Sequence, residues 1–158
     1  MCDNINEYLE RVDLEGIEQL AQKITNFQSG YLERNKPFLQ DLAKKYSLGI
    51  ISNFSGNLEI ILKEFQMLDL FSFVLDSYHQ KVTKPDAKIF KTAIEKTGVG
   101  AEQICYMGDN PTCDMIPAKK LGMRTIYIFN PQESRIKRKE CQADVVVESL
   151  LEIKSYLG

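Results

Sequence analysis

The segment Ile104-Cys105-Tyr106-Met107-Gly108-Asp109 is a short apolar run that ends in a glycine and a carboxylate. Its length and composition predict a buried β-strand followed by a polar turn. Other short apolar runs have the same character; they cover residues 48–52, 71–75, 125–129 and 145–147. Helical patterns alternate with them, over residues 58–68, 86–97, 116–121 and 150–157. This alternation predicts an α/β protein with a parallel, doubly wound sheet.

The N-terminal part of the chain has a helical pattern instead. Between Ile5 and Phe27, apolar residues recur at steps of three and four, which predicts helix over about residues 5–28. Pro37 is then expected to open a second helix, over residues 38–45, because a proline in the first turn costs no helical hydrogen bond.

Composition restricts the class of protein. The chain has 158 residues, 44% of them hydrophobic and 27% charged, as in a soluble domain with a small appendage. Its net charge of −2 gives no electrostatic reason to expect nucleic acid or a membrane surface as partner. The four cysteines form no C-x-x-C pair, and Cys105 is expected to be a small buried hydrophobe. With no signal peptide and no bilayer-spanning run of about 20 apolar residues, the expected location is cytoplasmic.

Polar residues follow the predicted strands at the sheet edge where ligands bind in parallel folds. Ser52 ends one strand, and its hydroxyl, with Asn53 beside it, suits a phosphate oxygen near the start of the next helix. The alternative is that Ser52 and Asn53 only turn the chain and help to cap that helix. Lys84 could neutralise a carboxylate and a phosphoryl group. Its alternative is an exposed lysine before Pro85, which fits the first turn of a helix.

Two carboxylates follow the strand at residues 104–107. Asp109 comes directly after it, and Asp114 lies five positions further on. Hard oxygen ligands of this kind suit Mg²⁺, either directly or through water. The alternative is an acidic turn in which Asp114 caps the next helix.

Together these segments resemble motifs two, three and four of the haloacid dehalogenase (HAD) superfamily. Within it, the capped phosphatase branch, typified by phosphoglycolate phosphatase-like proteins, is the most similar. The resemblance covers about three quarters of the chain, from Pro37 onward. The matching residues are Ser52 after Gly49-Ile50-Ile51, then Lys84-Pro85-Asp86-Ala87-Lys88-Ile89-Phe90, then Gly108-Asp109 through Asp114 with Ala118 and Gly122.

The resemblance implies a fold and a set of roles. The fold is a three-layer, Rossmann-like core over residues 35–158, and residues 1–34 resemble part of a helical cap. Ser52 would bind the substrate phosphate, Lys84 would stabilise charge on nucleophile and phosphoryl group, Asp109 would ligate Mg²⁺, and Asp114 would support that metal site. The acidic pair favours phosphate chemistry over halide chemistry, because the dehalogenase branch needs no metal.

The family's first motif, a strand ending D-x-D-x-[TV], has no good match. Asp3 follows no strand, and Asp13 lies in a helical pattern. The chain is therefore expected to begin after the nucleophile, without the first and central strand of the sheet. Unpaired backbone groups in the gap would cost about 1–3 kcal/mol each, so repair of the sheet is expected. The strands ending at Ser52 and Asp109 would pair directly, the N-terminal segment would fill the gap, or another chain would donate a strand.

Two functions follow from this pattern. The first is Mg²⁺-dependent hydrolysis of a small phosphorylated metabolite, with weak or no turnover by this chain alone. The alternative is a non-catalytic relic of the fold that binds phosphate, Mg²⁺ or a partner, such as a second copy in a homodimer or a chain that donates a strand.

Overall fold

A computed structural model of the protein describes residues 30–130 and 141–156. The chain divides into two units, Met1–Lys36 and Pro37–Gly158. In the first unit the described residues, 30–36, are helical. The predicted helix over residues 5–28 lies outside the described residues. The division into a cap segment, residues 1–34, and a core, residues 35–158, stays a prediction.

The described elements alternate between strand and helix. Helical residues run without a break from 30 to 43, and we call them α1. The strands are β1 (Gly49–Ser52), β2 (Phe73–Asp76), β3 (Cys105–Gly108), β4 (Arg124–Ile128) and β5 (Val145–Val147). The further α-helices are α2 (Leu58–Glu64), α3 (Ser77–Gln80), α4 (Ala87–Thr97) and α5 (Ile116–Lys120). Turns of 3₁₀-helix cover Leu68–Leu70, Ala101–Gln103 and Leu150–Ser155, and a π-helical turn covers Pro111–Met115.

The strands form parallel sheets, which confirms the predicted α/β fold. One sheet pairs β1 with β2, and the other has the order β3-β4-β5. Ser52 lies opposite Asp76, and Gly108 lies opposite Tyr127. Of the three expected repairs of the sheet, direct pairing of β1 and β3 is wrong, because within the described residues they belong to separate sheets. The N-terminal segment lies outside the described residues, and strand donation by another chain stays a prediction.

A second correction concerns β3, which among the described residues has a neighbouring strand on one side only. The Cys105 side chain is exposed, whereas a buried cysteine was expected. By contrast, β4 has a neighbour on both sides, and its residues Thr125, Ile126 and Tyr127 are buried. Burial within an apolar run therefore depends on the position of the strand in its sheet.

Helix α4 packs against both sheets. Its residues Ile89 and Phe90 are fully buried and form one cluster with Leu75 of β2. Ile51 of β1 and Tyr106 of β3 pack against the same cluster. Asp86 caps α4 by accepting a hydrogen bond from the Lys88 N–H, and Gly98 ends it with a φ of +68°. Pro85 precedes this cap, so the expectation that it lies in the first turn is wrong.

A second apolar cluster covers the opposite face of the larger sheet. Phe38 and Leu42 pack there with Val147 and Ile153. Their packing also corrects the predicted start of this helix, because α1 already includes residue 30 and continues through Pro37. A proline inside a helix costs about 3 kcal/mol. Each large apolar side chain buried next to it contributes about 1.5–3 kcal/mol, which offsets the cost.

The remaining helices differ from their predicted lengths. The helix expected over residues 58–68 ends at Glu64, and the one expected over residues 150–157 is a 3₁₀-helix over Leu150–Ser155. None of the helices in residues 30–130 and 141–156 has the length and apolar character that a bilayer crossing needs.

Asp144 fixes the start of β5 against β4. Its Oδ2 accepts hydrogen bonds from the Thr125 N–H at 2.8 Å and from the Thr125 hydroxyl at 2.9 Å. Its Oδ1 accepts one from the Lys119 ammonium at 2.8 Å. The bond from Lys119, followed by those from Thr125, lowers the pKa of Asp144 from 3.8 to about 2. The carboxylate is therefore stabilised in its charged form in the folded protein.

We predict that Asp144→Asn destabilises the protein in a pH-dependent way. At pH 7 it lowers the free energy of unfolding by about 1 kcal/mol, since solvent screens a half-exposed ion pair. The folded-state pKa is depressed, so this stabilisation is complete above about pH 4 and is lost as the pH falls towards about 2. Urea unfolding at pH 7, 5 and 3 measures the difference in free energy of unfolding between the variant and the wild type.

Asp41→Asn is the matched control for this series. Asp41 also pairs with a lysine at 2.8 Å, but its side chain is 68% exposed. The control should change stability less than Asp144→Asn at pH 7. If Asp144→Asn loses as much free energy of unfolding relative to the wild type at pH 3 as at pH 7, the prediction is contradicted.

Candidate functional site

Loops at the carboxyl ends of β1 and β3 meet around Lys84. The Asn53 side-chain amide donates to the Lys84 carbonyl at 3.0 Å, and its oxygen accepts from the Lys84 N–H at 2.8 Å. The Lys84 ammonium in turn contacts Asp114. The structure thus brings together residues from all three predicted segments.

The contact between Lys84 and Asp114 is a buried ion pair. The Lys84 Nζ lies 2.7 Å from Asp114 Oδ1, and the side chains are 14% and 2% exposed. A charged group removed from water needs a partner, and each of these residues supplies one for the other. Lys84 is therefore not the exposed lysine of the alternative interpretation.

Two further groups complete the surroundings of the Asp114 carboxylate. The Tyr106 hydroxyl donates to Oδ1 at 3.1 Å, and the Asn110 N–H donates to Oδ2 at 3.1 Å. Burial, and then the negative charge of Asp114, raise the pKa of Tyr106 far above its usual range. The phenol consequently keeps its proton and serves as a hydrogen-bond donor.

Local backbone geometry directs Asp114 inward. Asn110 caps the π-helical turn Pro111–Met115, because its side-chain oxygen accepts from the N–H groups of Thr112 and Cys113. Gly108 leaves the space that Asp114 occupies, since an added Cβ would lie 2.6 Å from Asp114 Cγ. The alternative in which Asp114 caps the next helix is wrong, because Asp114 lies inside this turn and α5 has no side-chain cap.

Ser52 and Asp109 are not tied to the Lys84–Asp114 pair. The Ser52 side chain is half-buried and the Asp109 side chain is exposed, and neither makes a hydrogen bond or an ion pair within the described residues. The capping alternative for Ser52 and Asn53 is wrong, because α2 begins after Asn57 without a side-chain cap. As far as the described part of the chain goes, both side chains are available to a ligand.

The two carboxylates after β3 differ in how far they are available to Mg²⁺. Asp109 is a hard oxygen donor that has no partner among the described residues, whereas Asp114 already accepts bonds from Lys84, Tyr106 and Asn110. Within the described residues, no cluster of three or more His, Cys, Asp or Glu could hold a metal. Mg²⁺ usually takes one or two carboxylates and completes its shell with water and phosphate oxygens. Asp109 therefore fits as a direct ligand, and Asp114 fits a supporting role.

Sequence reasoning missed the residues that hold the loop after β1. Asp76 and Ser77 are both buried, and with His79 they bond to the backbone of Phe54 and Gly56. A usable signal was present, because Asp76 ends a strand as Ser52 does, and parallel strands end at the same edge of a sheet. Tyr106 was missed because it falls inside an apolar run.

The chain belongs to the haloacid dehalogenase-like hydrolase family, whose pattern residues 3–128 match. It is 33% identical over 109 residues to haloacid dehalogenase-like hydrolase domain-containing protein 3 from Danio rerio. This alignment covers 69% of this chain and 45% of that protein. It is 37% identical over 86 residues to glyceraldehyde 3-phosphate phosphatase from Pyrococcus abyssi, covering 52% of this chain and 35% of that protein. The matches therefore span about half or less of these relatives.

A solved structure gives the same result for the fold. The crystal structure of a HAD phosphatase from Thermococcus onnurineus superimposes with a TM-score of 0.68 and 29% identity. The superposition covers 80% of this chain and 62% of that one. The predicted resemblance to HAD phosphatases is confirmed, as is the Rossmann-like fold of the core.

We predict that Lys84 and Asp114 are energetically coupled. Lys84→Met and Asp114→Asn each leave a buried charge without its partner and should lower the free energy of unfolding by about 3 kcal/mol. The double variant should lose clearly less than the sum of the two, because it leaves neither charge alone. Urea unfolding of the wild type, the two single variants and the double variant gives the coupling energy as a double-mutant cycle.

Lys44→Met and Asp41→Asn form the control cycle, because that ion pair is 73% and 68% exposed. Their coupling should be small. If the losses in free energy of unfolding from Lys84→Met and Asp114→Asn simply add in the double variant, the predicted coupling is contradicted.

A separate prediction concerns Gly108. In Gly108→Ala the new methyl group overlaps the Asp114 side chain, which should destabilise the protein by about 2 kcal/mol. Gly30→Ala is the control, because an added Cβ meets nothing within 4 Å there. Thermal unfolding compares the two, and equal midpoints would show that Asp114 can move away at no cost.

Proposed function

We propose that this site binds the phosphate group of a small phosphorylated metabolite and serves Mg²⁺-dependent hydrolysis of a phosphomonoester. The observation that carries the proposal is the buried Lys84–Asp114 pair, at 2.7 Å, which Asn53 ties to the loop after Ser52. A fixed ammonium, on a residue that Asn53 bonds to the loop after Ser52, suits an anion with several oxygens. The glyceraldehyde 3-phosphate phosphatase among the relatives supports phosphate as the group recognised.

Each residue has a distinct part in the proposal. The Ser52 hydroxyl donates a hydrogen bond to a phosphate oxygen, and Asn53 contributes through the same loop. Lys84 stabilises negative charge on the phosphoryl group, while Asp114 and Tyr106 keep its ammonium in place. Asp109 holds Mg²⁺, which when bound would neutralise charge on the phosphate oxygens.

The nucleophile is the part that these residues do not supply. Within residues 30–130 and 141–156, the carboxylate that contacts Lys84 is Asp114, and its hydrogen bonds already engage both of its oxygens. We therefore propose that phosphoryl transfer depends on a carboxylate from outside the described residues, and that this chain alone turns over weakly or not at all.

A non-catalytic role is the second candidate. The unpaired sides of β1 and β3 among the described strands favour it, since such edges can accept a strand from a partner or a second copy. In that role the site binds phosphate or Mg²⁺ without breaking a bond.

We predict that inorganic phosphate binds more tightly in the presence of MgCl₂, by about tenfold or more, and that Asp109→Asn removes this gain. Isothermal titration calorimetry measures the affinity. Asp109 is exposed and has no partner among the described residues, so its variant should keep the wild-type melting temperature. Asp69→Asn, at an exposed carboxylate that precedes β2, is the matched control.

Turnover of p-nitrophenyl phosphate separates the two candidates. Hydrolysis that depends on Mg²⁺ and falls in Ser52→Ala supports the phosphatase. Binding of phosphate with no hydrolysis above the Ser52→Ala background supports the non-catalytic role. Indifference of the wild type to both phosphate and Mg²⁺ contradicts both candidates.

A further inference from the structure

The loop that follows Ser52 is held in place by side chains from the end of β2. We call Asp76, Ser77 and His79 the anchoring cluster. Asp76 is 3% exposed, and its Oδ2 accepts a hydrogen bond from the Gly56 N–H at 2.9 Å. Its Oδ1 accepts from the Tyr78 N–H at 3.0 Å, so the same side chain also caps α3. One buried carboxylate thus joins the loop to the end of the neighbouring strand.

The other members of the anchoring cluster bind the same loop. The Ser77 Oγ accepts from the Phe54 N–H at 3.1 Å and donates to the Phe54 carbonyl at 3.2 Å. The His79 Nε2 lies 2.8 Å from the Gly56 carbonyl. Gly56 has a φ of +94°, and an added Cβ there would lie 2.7 Å from the Tyr78 ring. Phe54 and Gly56 are therefore fixed through both their N–H and their C=O groups.

The rest of this loop is left available to a ligand. The N–H groups of Asn53 and Ser55 have no partner in the part of the chain that the structure describes, while those of Phe54 and Gly56 are used by the anchoring cluster. The Asn53 side chain is bound to the Lys84 backbone. The loop is thus held by hydrogen bonds from both β2 and Lys84, and no described residue uses the Ser52 hydroxyl or these two backbone N–H groups.

We propose that the anchoring cluster consists of positioning residues for a phosphate-binding loop. Asp76, Ser77 and His79 touch no ligand themselves; they hold residues 53–56 so that the Ser52 hydroxyl and the N–H groups of Asn53 and Ser55 face one anion. The role rests on the proposed function, since it requires phosphate to bind at Ser52. Preorganised donors bind an anion more tightly because no ordering cost remains to be met at binding.

The test compares Ser77→Ala with Ser72→Ala in the full chain. Ser77→Ala removes both bonds to Phe54, whereas Ser72→Ala removes one exposed bond, to Ser47 at 2.9 Å, just before β2. Ser77→Thr keeps the hydroxyl and should rescue the effect. Asp76→Asn is a second variant, which keeps the shape of the side chain and weakens its acceptors.

Two readouts separate positioning from a general loss of structure. Calorimetry with inorganic phosphate and MgCl₂ should show about tenfold weaker binding in Ser77→Ala, and no change in Ser72→Ala. Amide hydrogen exchange by NMR should become about tenfold faster at Phe54 and stay unchanged at Ile51 in β1. A purely structural role would speed exchange at both positions.

Each outcome decides the proposal. Phosphate affinity in Ser77→Ala equal to that of the wild type overturns it. If Ser77→Ala does not fold, Asp76→Asn decides, and an unchanged affinity there overturns it as well. If the wild type binds no phosphate, both the proposed function and this positioning role are contradicted. If the wild type binds phosphate and the variants bind it equally well, only the positioning role of the anchoring cluster is contradicted, and the proposed function stands.

Discussion

The ion pair between Lys84 and Asp114 is the contact on which the rest of the site depends. At 2.7 Å and almost without solvent, it is stable only if the carboxylate is fully hydrogen-bonded. That requirement accounts for the hydrogen bonds from the Tyr106 hydroxyl and the Asn110 N–H. It also accounts for glycine at position 108, where a Cβ would overlap the Asp114 side chain. The unusual π-helical turn follows from the same need, because it directs Asp114 inward rather than into solvent. A buried pair of charges thus imposes its geometry on the surrounding backbone.

Side chains, rather than sheet hydrogen bonds, join the two halves of the described core. The β1-β2 and β3-β4-β5 sheets are separate, and helix α4 packs its buried face against residues of both. At the carboxyl edge, the bonds of Asn53 to Lys84 and of Lys84 to Asp114 connect loops from the two sheets. The same few contacts therefore support the fold and connect the loops that carry the candidate site residues.

Several elements were predictable because their signals are local. The strands come from short apolar runs, and α4 comes from a capping aspartate and a closing glycine, which depend on near neighbours alone. The continuation of α1 through Pro37 was not predictable, since packing of Phe38 and Leu42 outweighs a local penalty. Cys105 was wrongly expected to be buried, because an apolar run does not state which strand lies beside it.

The sequence by itself determined the class of the fold, the family, and the residues Ser52, Lys84, Asp109 and Asp114 as candidates, because strand order and motif spacing are written along the chain. Only the tertiary structure decided which of them touch. It paired Lys84 with Asp114, left Asp109 and Ser52 without a side-chain partner among the described residues, and added the anchoring cluster. The reason is physical: burial and hydrogen bonding between distant segments depend on the packed arrangement of strands, which local patterns do not encode.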